Sequence, residues 1–119
     1  GRLMSKKEIQ IISKIIRELS LFLMLHGYRH FTLDMKQEEK MMYLIIKLAS
    51  MKEETLKKMQ EKILRDRELE VETYGWELLG DTDSKSELDV VGVLIDDMTV
   101  EKNENEVILT FIRKNAEKK

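Results

Sequence analysis

The chain has 119 residues, which is the size of one domain, and its 42% hydrophobic and 37% charged residues indicate a packed core under a solvated surface. Its 21 lysines and arginines against 23 aspartates and glutamates leave a net charge of -2, so the basic excess that favours binding to a phosphate backbone is missing. It contains no cysteine, which excludes disulfides, thiolate zinc sites and cysteine nucleophiles. We therefore expect one domain over residues 1–119, with frayed ends at 1–4 and 114–119, that binds no nucleic acid.

The apolar segments of the chain are short. The longest unbroken runs cover residues 21–25 and 41–46, whereas a membrane-spanning helix needs about 20 apolar residues. The first residues also lack the charged and apolar regions of a secretory signal. These features predict a soluble, cytoplasmic protein without a membrane partner.

The first predicted element is a helix that begins at a capping box, Ser5-Lys6-Lys7-Glu8. Apolar residues then recur at intervals of three and four, and further apolar residues widen the stripe, which predicts a helix covered on more than one side. Gly27 supplies the left-handed conformation that commonly ends a helix. The stripe comprises Ile9, Ile12, Ile16, Leu19, Leu23 and His26, widened by Ile11, Ile15, Phe22 and Leu25.

Two strands are predicted after this helix. Residues 30–35 alternate between apolar and polar side chains, and the polar run over 36–39 reads as a turn. Residues 40–48 form the second strand, in which Tyr43 and Ile45 make the second face nearly as apolar as the first. A strand with two apolar faces is usually central and covered on both sides.

The second half of the chain is predicted to contain two helices and a hairpin. A capping box at Ser50 begins a surface helix with a narrow apolar stripe, and a third box at Ser84 begins a helix over residues 85–97 that ends at Asp96 and Asp97. Residues 67–80 are read as a short irregular strand or a lid. Strands over 99–102 and 106–113 complete the chain as a hairpin. The stripe of the surface helix consists of Leu56, Met59, Ile63 and Leu64.

The order helix, strand, strand, helix, irregular segment, helix, strand, strand predicts an α+β fold. We expect a two-layer sandwich in which a mixed sheet of four or five strands carries about three helices on one face. The helix-to-strand corner at residues 17–34 links the two layers.

Glu18 and His26-Gly27-Tyr28 stand at positions that resemble the first signature box of the ATPase fold shared by sensor histidine kinases, gyrase, a class of heat-shock chaperones and anti-sigma-factor serine kinases. The chain looks most like the last group, and the similarity in element order covers nearly the whole chain. The resemblance implies a setting in bacterial signalling or sigma-factor control. It also implies that Glu18 occupies the position of the general base.

Three departures from that family pattern fall on the nucleotide site. The asparagine that holds magnesium in the family is replaced by Phe22, which has no oxygen for a hard cation. Residues 46–52 stand where the family has Asp-x-Gly-x-Gly, and residues 87–92 stand where a Gly-x-Gly would cradle phosphates, with Gly92 as a single late glycine. We therefore expect no bound nucleotide, no cofactor and no catalytic residue.

The sequence thus favours a non-catalytic regulatory module with a degenerate ATP site that binds a protein partner. The partner is unidentified, and the broad stripe of residues 9–25 suits either a homodimer or a partner helix. The alternative is an active ATP-dependent serine kinase in which Glu18 is the base; otherwise Glu18 is a structural carboxylate paired with Arg17, Arg29 or backbone. A nucleic-acid adaptor would need a one-sided basic patch.

Metal sites are also predicted to be absent. His26 and His30 are four residues apart, but Gly27 separates them and places His30 on a strand, so they do not suit zinc as a helical pair would. Asp81 and Asp83 begin like a calcium loop, yet the residues that follow lack its required glycine and glutamate.

Overall fold

The structure is a computed structural model that describes residues 4–66 and 87–114. Within these ranges, three helices and a four-stranded sheet form the predicted α+β sandwich. The elements are α1 (Lys6–Leu25), β1 (Thr32–Gln37), β2 (Met41–Leu48), α2 (Glu53–Asp66), α3 (Glu87–Leu94), β3 (Asp97–Lys102) and β4 (Val107–Lys114). The predicted irregular segment at 67–80, the aspartates at 81 and 83 and the serine of the third capping box lie outside the described residues.

The strand order is β1-β2-β4-β3, and every described pairing is antiparallel. The sequence predicted a mixed sheet. The difference arises because the sheet consists of two hairpins, β1–β2 and β3–β4, which join through an antiparallel β2–β4 pairing. β2 is central, as its two apolar faces indicated.

The start and end of α1 follow the predicted signals. The Glu8 amide donates to Ser5 Oγ at 3.0 Å, which caps the N-terminus. Gly27 has φ 88°, and the amides of Tyr28 and Gly27 donate to the carbonyls of Leu23 and Met24 at 2.9 and 3.1 Å. These two bonds are a Schellman motif, in which the left-handed residue lets the chain turn back from the helix into β1.

Only part of the predicted stripe on α1 is buried. Ile15, Leu19 and Leu23 are fully buried, whereas Ile9 is 46% exposed and Leu25 is 65% exposed. The central apolar side chains of the helix therefore pack in the core of their own chain. The buried residues of the helix are Glu8, Ile11, Ile12, Ile15, Glu18, Leu19, Phe22 and Leu23.

Helix α2 begins at Glu53. The capping box at Ser50 predicted a helix that begins at Met51, two residues earlier, and this predicted start is wrong. Met51 is buried ahead of the helix, and the Lys52 amide donates to Tyr28 Oη at 2.9 Å. This tertiary hydrogen bond satisfies a backbone donor near the helix start, which the serine was expected to do. The predicted stripe is confirmed at its described positions, where Leu56, Met59 and Ile63 are buried.

Helix α3 ends at Leu94, so the prediction of a helix that runs to Asp97 is wrong. The Asp96 amide donates to the Ile112 carbonyl at 2.7 Å, and Asp96 Oδ2 accepts from the Lys114 amide at 2.6 Å. The chain at Asp96 therefore forms hydrogen bonds with β4 instead of continuing helix α3. Asp97 already belongs to β3, and its carboxylate accepts from the Met98 amide at 2.8 Å.

A buried ion pair fastens two helices to the sheet. Arg113 on β4 is 2% exposed and donates from Nε and Nη2 to the Glu8 carboxylate of α1 at 2.9 and 3.1 Å. Its Nη1 donates to the Leu94 carbonyl, at the end of α3, at 2.8 Å. A guanidinium suits this position because its planar fork can satisfy a carboxylate and a helix-end carbonyl together.

Candidate functional site

Glu18, the residue that the kinase alternative requires as a base, is buried on α1 and is 3% exposed. Its Oε2 lies 2.9 Å from Lys14 Nζ and also accepts from Arg17 Nη1. Arg17 was among the partners expected from the sequence, whereas Lys14 was not, although an i, i+4 pair of opposite charges on a helix could have indicated it. The carboxylate is thus held by two cations of its own helix.

Phe22, which the sequence resemblance sets at the place of the family's magnesium-binding asparagine, is 2% exposed. Its ring lies against the ring of His26, with the centroids 4.1 Å apart and the planes inclined by 34°. His26 Nδ1 also lies 3.0 Å from the Phe22 carbonyl oxygen. The side chain at this position therefore packs apolar and aromatic groups and offers no oxygen to a cation.

The two segments that the sequence resemblance compares with the other family boxes contain core residues. Leu48 and Met51 represent the second box and are 4% and 8% exposed, while Leu88 and Val91 represent the third and are 2% and 0% exposed. All four belong to the same hydrophobic cluster as Phe22. Side chains from all three family boxes thus take part in one core between the helices and the sheet.

The two histidines, which the sequence predicted not to form a zinc pair, lie on either side of Gly27. Both are exposed, His26 at the end of α1 and His30 ahead of β1. The described ranges contain no group of three or more histidine, cysteine, aspartate or glutamate side chains that could hold a metal ion.

The second face of the sheet, which we call the outer face, lies opposite the buried face that packs against the described helices. Side chains alternate along each strand, and on the two central strands Leu44, Ile46 and Leu109 of the inner face are fully buried beneath the helices. On the two central strands, Tyr43, Ile45, Ile108, Thr110 and Ile112 of the outer face are only half-buried. No described helix packs over them.

Charged side chains border this apolar centre. Lys36 lies on edge strand β1, Asp97 and Glu101 lie on edge strand β3, and Lys47 lies on β2. All four are exposed. Lys36, Lys47 and Glu101 form no ion pair with any other residue in the ranges 4–66 and 87–114. An apolar centre with a charged rim is the usual composition of a protein-binding surface.

An open cleft of about 460 Å³ lies at the end of β2. Thr32 and Lys47 contribute both to this cleft and to the outer face. The remaining lining residues are His30, Phe31, Leu48, Ala49, Asn105 and Glu106.

The sequence pattern of β2 predicted its second apolar face, whereas the corresponding face of β4 was not predicted. The signal was present in the alternation of Ile108, Thr110 and Ile112 with the buried residues between them. No helix of the described ranges is long and apolar enough to cross a membrane.

Comparisons with models of protein families, with curated proteins and with solved structures find no match to this chain. Its function is therefore inferred from the chemistry of its own residues and from the resemblance stated above.

Proposed function

We propose that this domain is a non-catalytic regulatory module that binds a protein partner and that has lost the nucleotide site of a histidine-kinase-type ATPase domain. By the same resemblance, it acts in the bacterial cytoplasm, in signalling or sigma-factor control. It carries no cofactor and no catalytic residue.

The observation that supports the loss of the nucleotide site is the burial of Phe22, Leu48 and Leu88 in one core cluster. A phosphate chain and its magnesium need oxygen ligands and accessible backbone amides. These positions supply closely packed hydrocarbon side chains, whose displacement would cost the free energy of their burial. The ion-paired Glu18 agrees with a structural carboxylate.

The observation that supports a binding role is the composition of the outer face. Soluble domains gain little by presenting tyrosine and isoleucine side chains in a contiguous group unless a partner covers them. The charged residues around the group, Lys36, Lys47, Asp97 and Glu101, would give such a partner a defined orientation.

Titration with ATP and magnesium tests the loss of the nucleotide site. We expect no change in the thermal unfolding temperature and no heat of binding at millimolar nucleotide. A ligand present at 100 times its dissociation constant would stabilise the fold by about 2.7 kcal/mol, which thermal unfolding resolves readily.

A saturable stabilisation would contradict this proposal and would favour the kinase alternative. In that case Glu18→Gln is the diagnostic variant. It should retain nucleotide binding while losing phosphoryl transfer if Glu18 is the base, because the amide fills the same space but cannot accept the proton.

A further inference from the structure

We propose that the open cleft at the end of β2 binds a small zwitterion, namely an α-amino acid with a large apolar side chain. The cleft has a volume of about 460 Å³, which lies within the range of small-molecule sites. This inference goes beyond the proposed protein-binding role, because it assigns a small ligand to a site beside the outer face. It is supported by the apolar floor of the cleft and by the opposite charges on its two sides.

The floor of the cleft is apolar and is held in place by the core. Leu48 is 4% exposed and belongs to the core cluster, and Phe31 is half-buried against the same cluster. Ala49 follows Leu48 along the chain and also lines the cleft. A ligand side chain that covers these groups removes apolar surface from water, which favours binding.

One side of the cleft offers a positive charge and nitrogen donors. His30 lies just ahead of β1, and Lys47 lies on β2 opposite Thr32 in the strand register. All three residues are exposed. Neither His30 nor Lys47 forms an ion pair with another residue in the ranges 4–66 and 87–114. Ammonium and imidazole N–H groups both donate to carboxylates, so this side suits the carboxylate of a ligand.

The other side of the cleft is acidic. Glu106 lies at the turn before β4, where its carbonyl accepts from the Asn103 amide at 3.0 Å. The Asn105 amide donates to Asn103 Oδ1 at 3.0 Å, which stabilises the same turn. The Glu106 carboxylate forms no ion pair within the described part of the chain. This side therefore suits the ammonium group of a ligand.

The two sides are close enough for one small molecule to contact both. Ile108 is the register partner of Lys47, and Glu106 lies two residues before Ile108 in the chain. Diagonal neighbours of this kind on one face of a sheet lie about 7 to 8 Å apart. An amino acid can therefore place its carboxylate near Lys47 and its ammonium near Glu106, with its side chain on the floor.

The opposite charges also select against other classes of ligand. A phosphate or a nucleotide would bring several negative charges close to Glu106, and like charges oppose binding. A purely apolar molecule would remove charged groups from water without giving them a partner, which costs free energy. In the described ranges, no group of three or more histidine, cysteine, aspartate or glutamate side chains could hold a metal ion. A zwitterion with an apolar side chain matches all three parts of the cleft.

Titration of the isotope-labelled full chain with L-phenylalanine, followed by amide NMR, tests this inference. We expect saturable shifts at the amides of the cleft residues, with a dissociation constant in the millimolar range, because exposed ion pairs contribute little. N-acetyl-L-phenylalanine lacks the ammonium group, and L-phenylalaninamide lacks the carboxylate. Each should bind about threefold more weakly than the free amino acid.

Two variants identify the charge that each end of the ligand contacts. Lys47→Met should weaken binding of L-phenylalanine by about threefold and should remove its advantage over the amide. Glu106→Gln should have a similar effect and should remove the advantage over the N-acetyl form. Each advantage is a ratio of two affinities of one variant, so a general loss of folding does not produce the pattern. Lys47→Arg keeps the charge and should retain binding.

Lys57→Met and Glu61→Gln are the matched controls, because both change exposed charged residues of α2. They should leave the affinity for L-phenylalanine unchanged. The inference would be overturned by the absence of saturable shifts at tens of millimolar ligand, or by a Lys47→Met variant that binds like Lys57→Met. Derivatives that bind as tightly as the free amino acid would also overturn it, since they would indicate recognition of a peptide end or of an apolar group alone.

The result is independent of the nucleotide test. If ATP stabilises the fold and the amino acid also binds as expected, the proposed loss of the nucleotide site fails and the amino-acid site remains. If neither ligand binds, the amino-acid site fails and the loss of the nucleotide site remains.

Discussion

The two faces of the sheet are made by alternate residues of the same strands, yet they differ in what covers them. On the inner face, Leu44 and Phe111 are fully buried beneath the helices, and even the charged Arg113 is held by Glu8. On the outer face, Ile45 is only half-buried, without a described helix above it. Alternation alone therefore separates residues into two sets, and only the position of the helices decides which set forms the core.

The comparison also shows why α1 is a weak candidate for a docking surface. Its central apolar residues, such as Ile15 and Leu19, are fully buried by the chain itself. Met24 and Leu25 remain exposed at its end, but single exposed apolar residues are common on protein surfaces. The outer face has a larger contiguous group of apolar side chains.

The largest expected loss of stability follows from breaking the buried ion pair between Glu8 and Arg113 on the inner face. Glu8→Ala should lower the free energy of unfolding by about 3 to 5 kcal/mol, because it leaves a buried guanidinium without its carboxylate. Urea unfolding followed by circular dichroism measures the change.

A double replacement separates loss of the pair from loss of packing. Glu8→Leu combined with Arg113→Met should be clearly more stable than Glu8→Ala, since the buried charge is removed with its partner. A loss below about 1 kcal/mol for Glu8→Ala would contradict the buried position of the pair.

Neighbouring residues of β2 compare the two faces directly. Leu44→Ala should destabilise the monomer by about 2 to 5 kcal/mol, because it leaves a cavity in a packed core. Ile45→Ala should lower the free energy of unfolding by less than about 1.5 kcal/mol, because the side chain of Ile45 is only half-buried. Urea unfolding of the two variants measures both losses.

Equal losses for the two variants would show that the outer face is covered within the monomer.

The smallest expected effect tests the corner that places α1 against the inner face. Gly27→Ala should lower the free energy of unfolding by about 1 kcal/mol, since alanine is strained at φ 88° while its Cβ would meet no atom within 4 Å. Gly27→Asn should cost less, because asparagine tolerates the left-handed region better. Urea unfolding of the two variants checks both statements.

Local sequence signals predicted most of the architecture. Ser5 and Gly27 correctly predicted the two ends of α1, and alternation predicted the strand pairs, because both depend on residues close in sequence. Ser50 failed as a cap because Tyr28, far away in sequence, supplies a hydrogen bond near the start of α2. Asp97 was placed on a helix because its helical periodicity was read without the competing pairing to β4.

The candidate site was only partly predictable. The loss of a nucleotide ligand at Phe22 was an expectation from the sequence alone, and the burial of that side chain agrees with it without testing nucleotide binding. The bond between Glu8 and Arg113 could not be predicted, because 105 residues separate the partners. An arginine on the buried face of an otherwise apolar strand was the available signal.

The sequence by itself determined the types of most elements and two apolar faces on β2, because capping and alternation act over a few neighbouring residues. Only the tertiary structure decided the strand order, the antiparallel joining of the two hairpins and the choice of inner face. These features depend on contacts between distant segments, and local pattern carries no information about which distant partner is chosen. The same contacts place Lys36 and Asp97 at opposite ends of one row of the outer face.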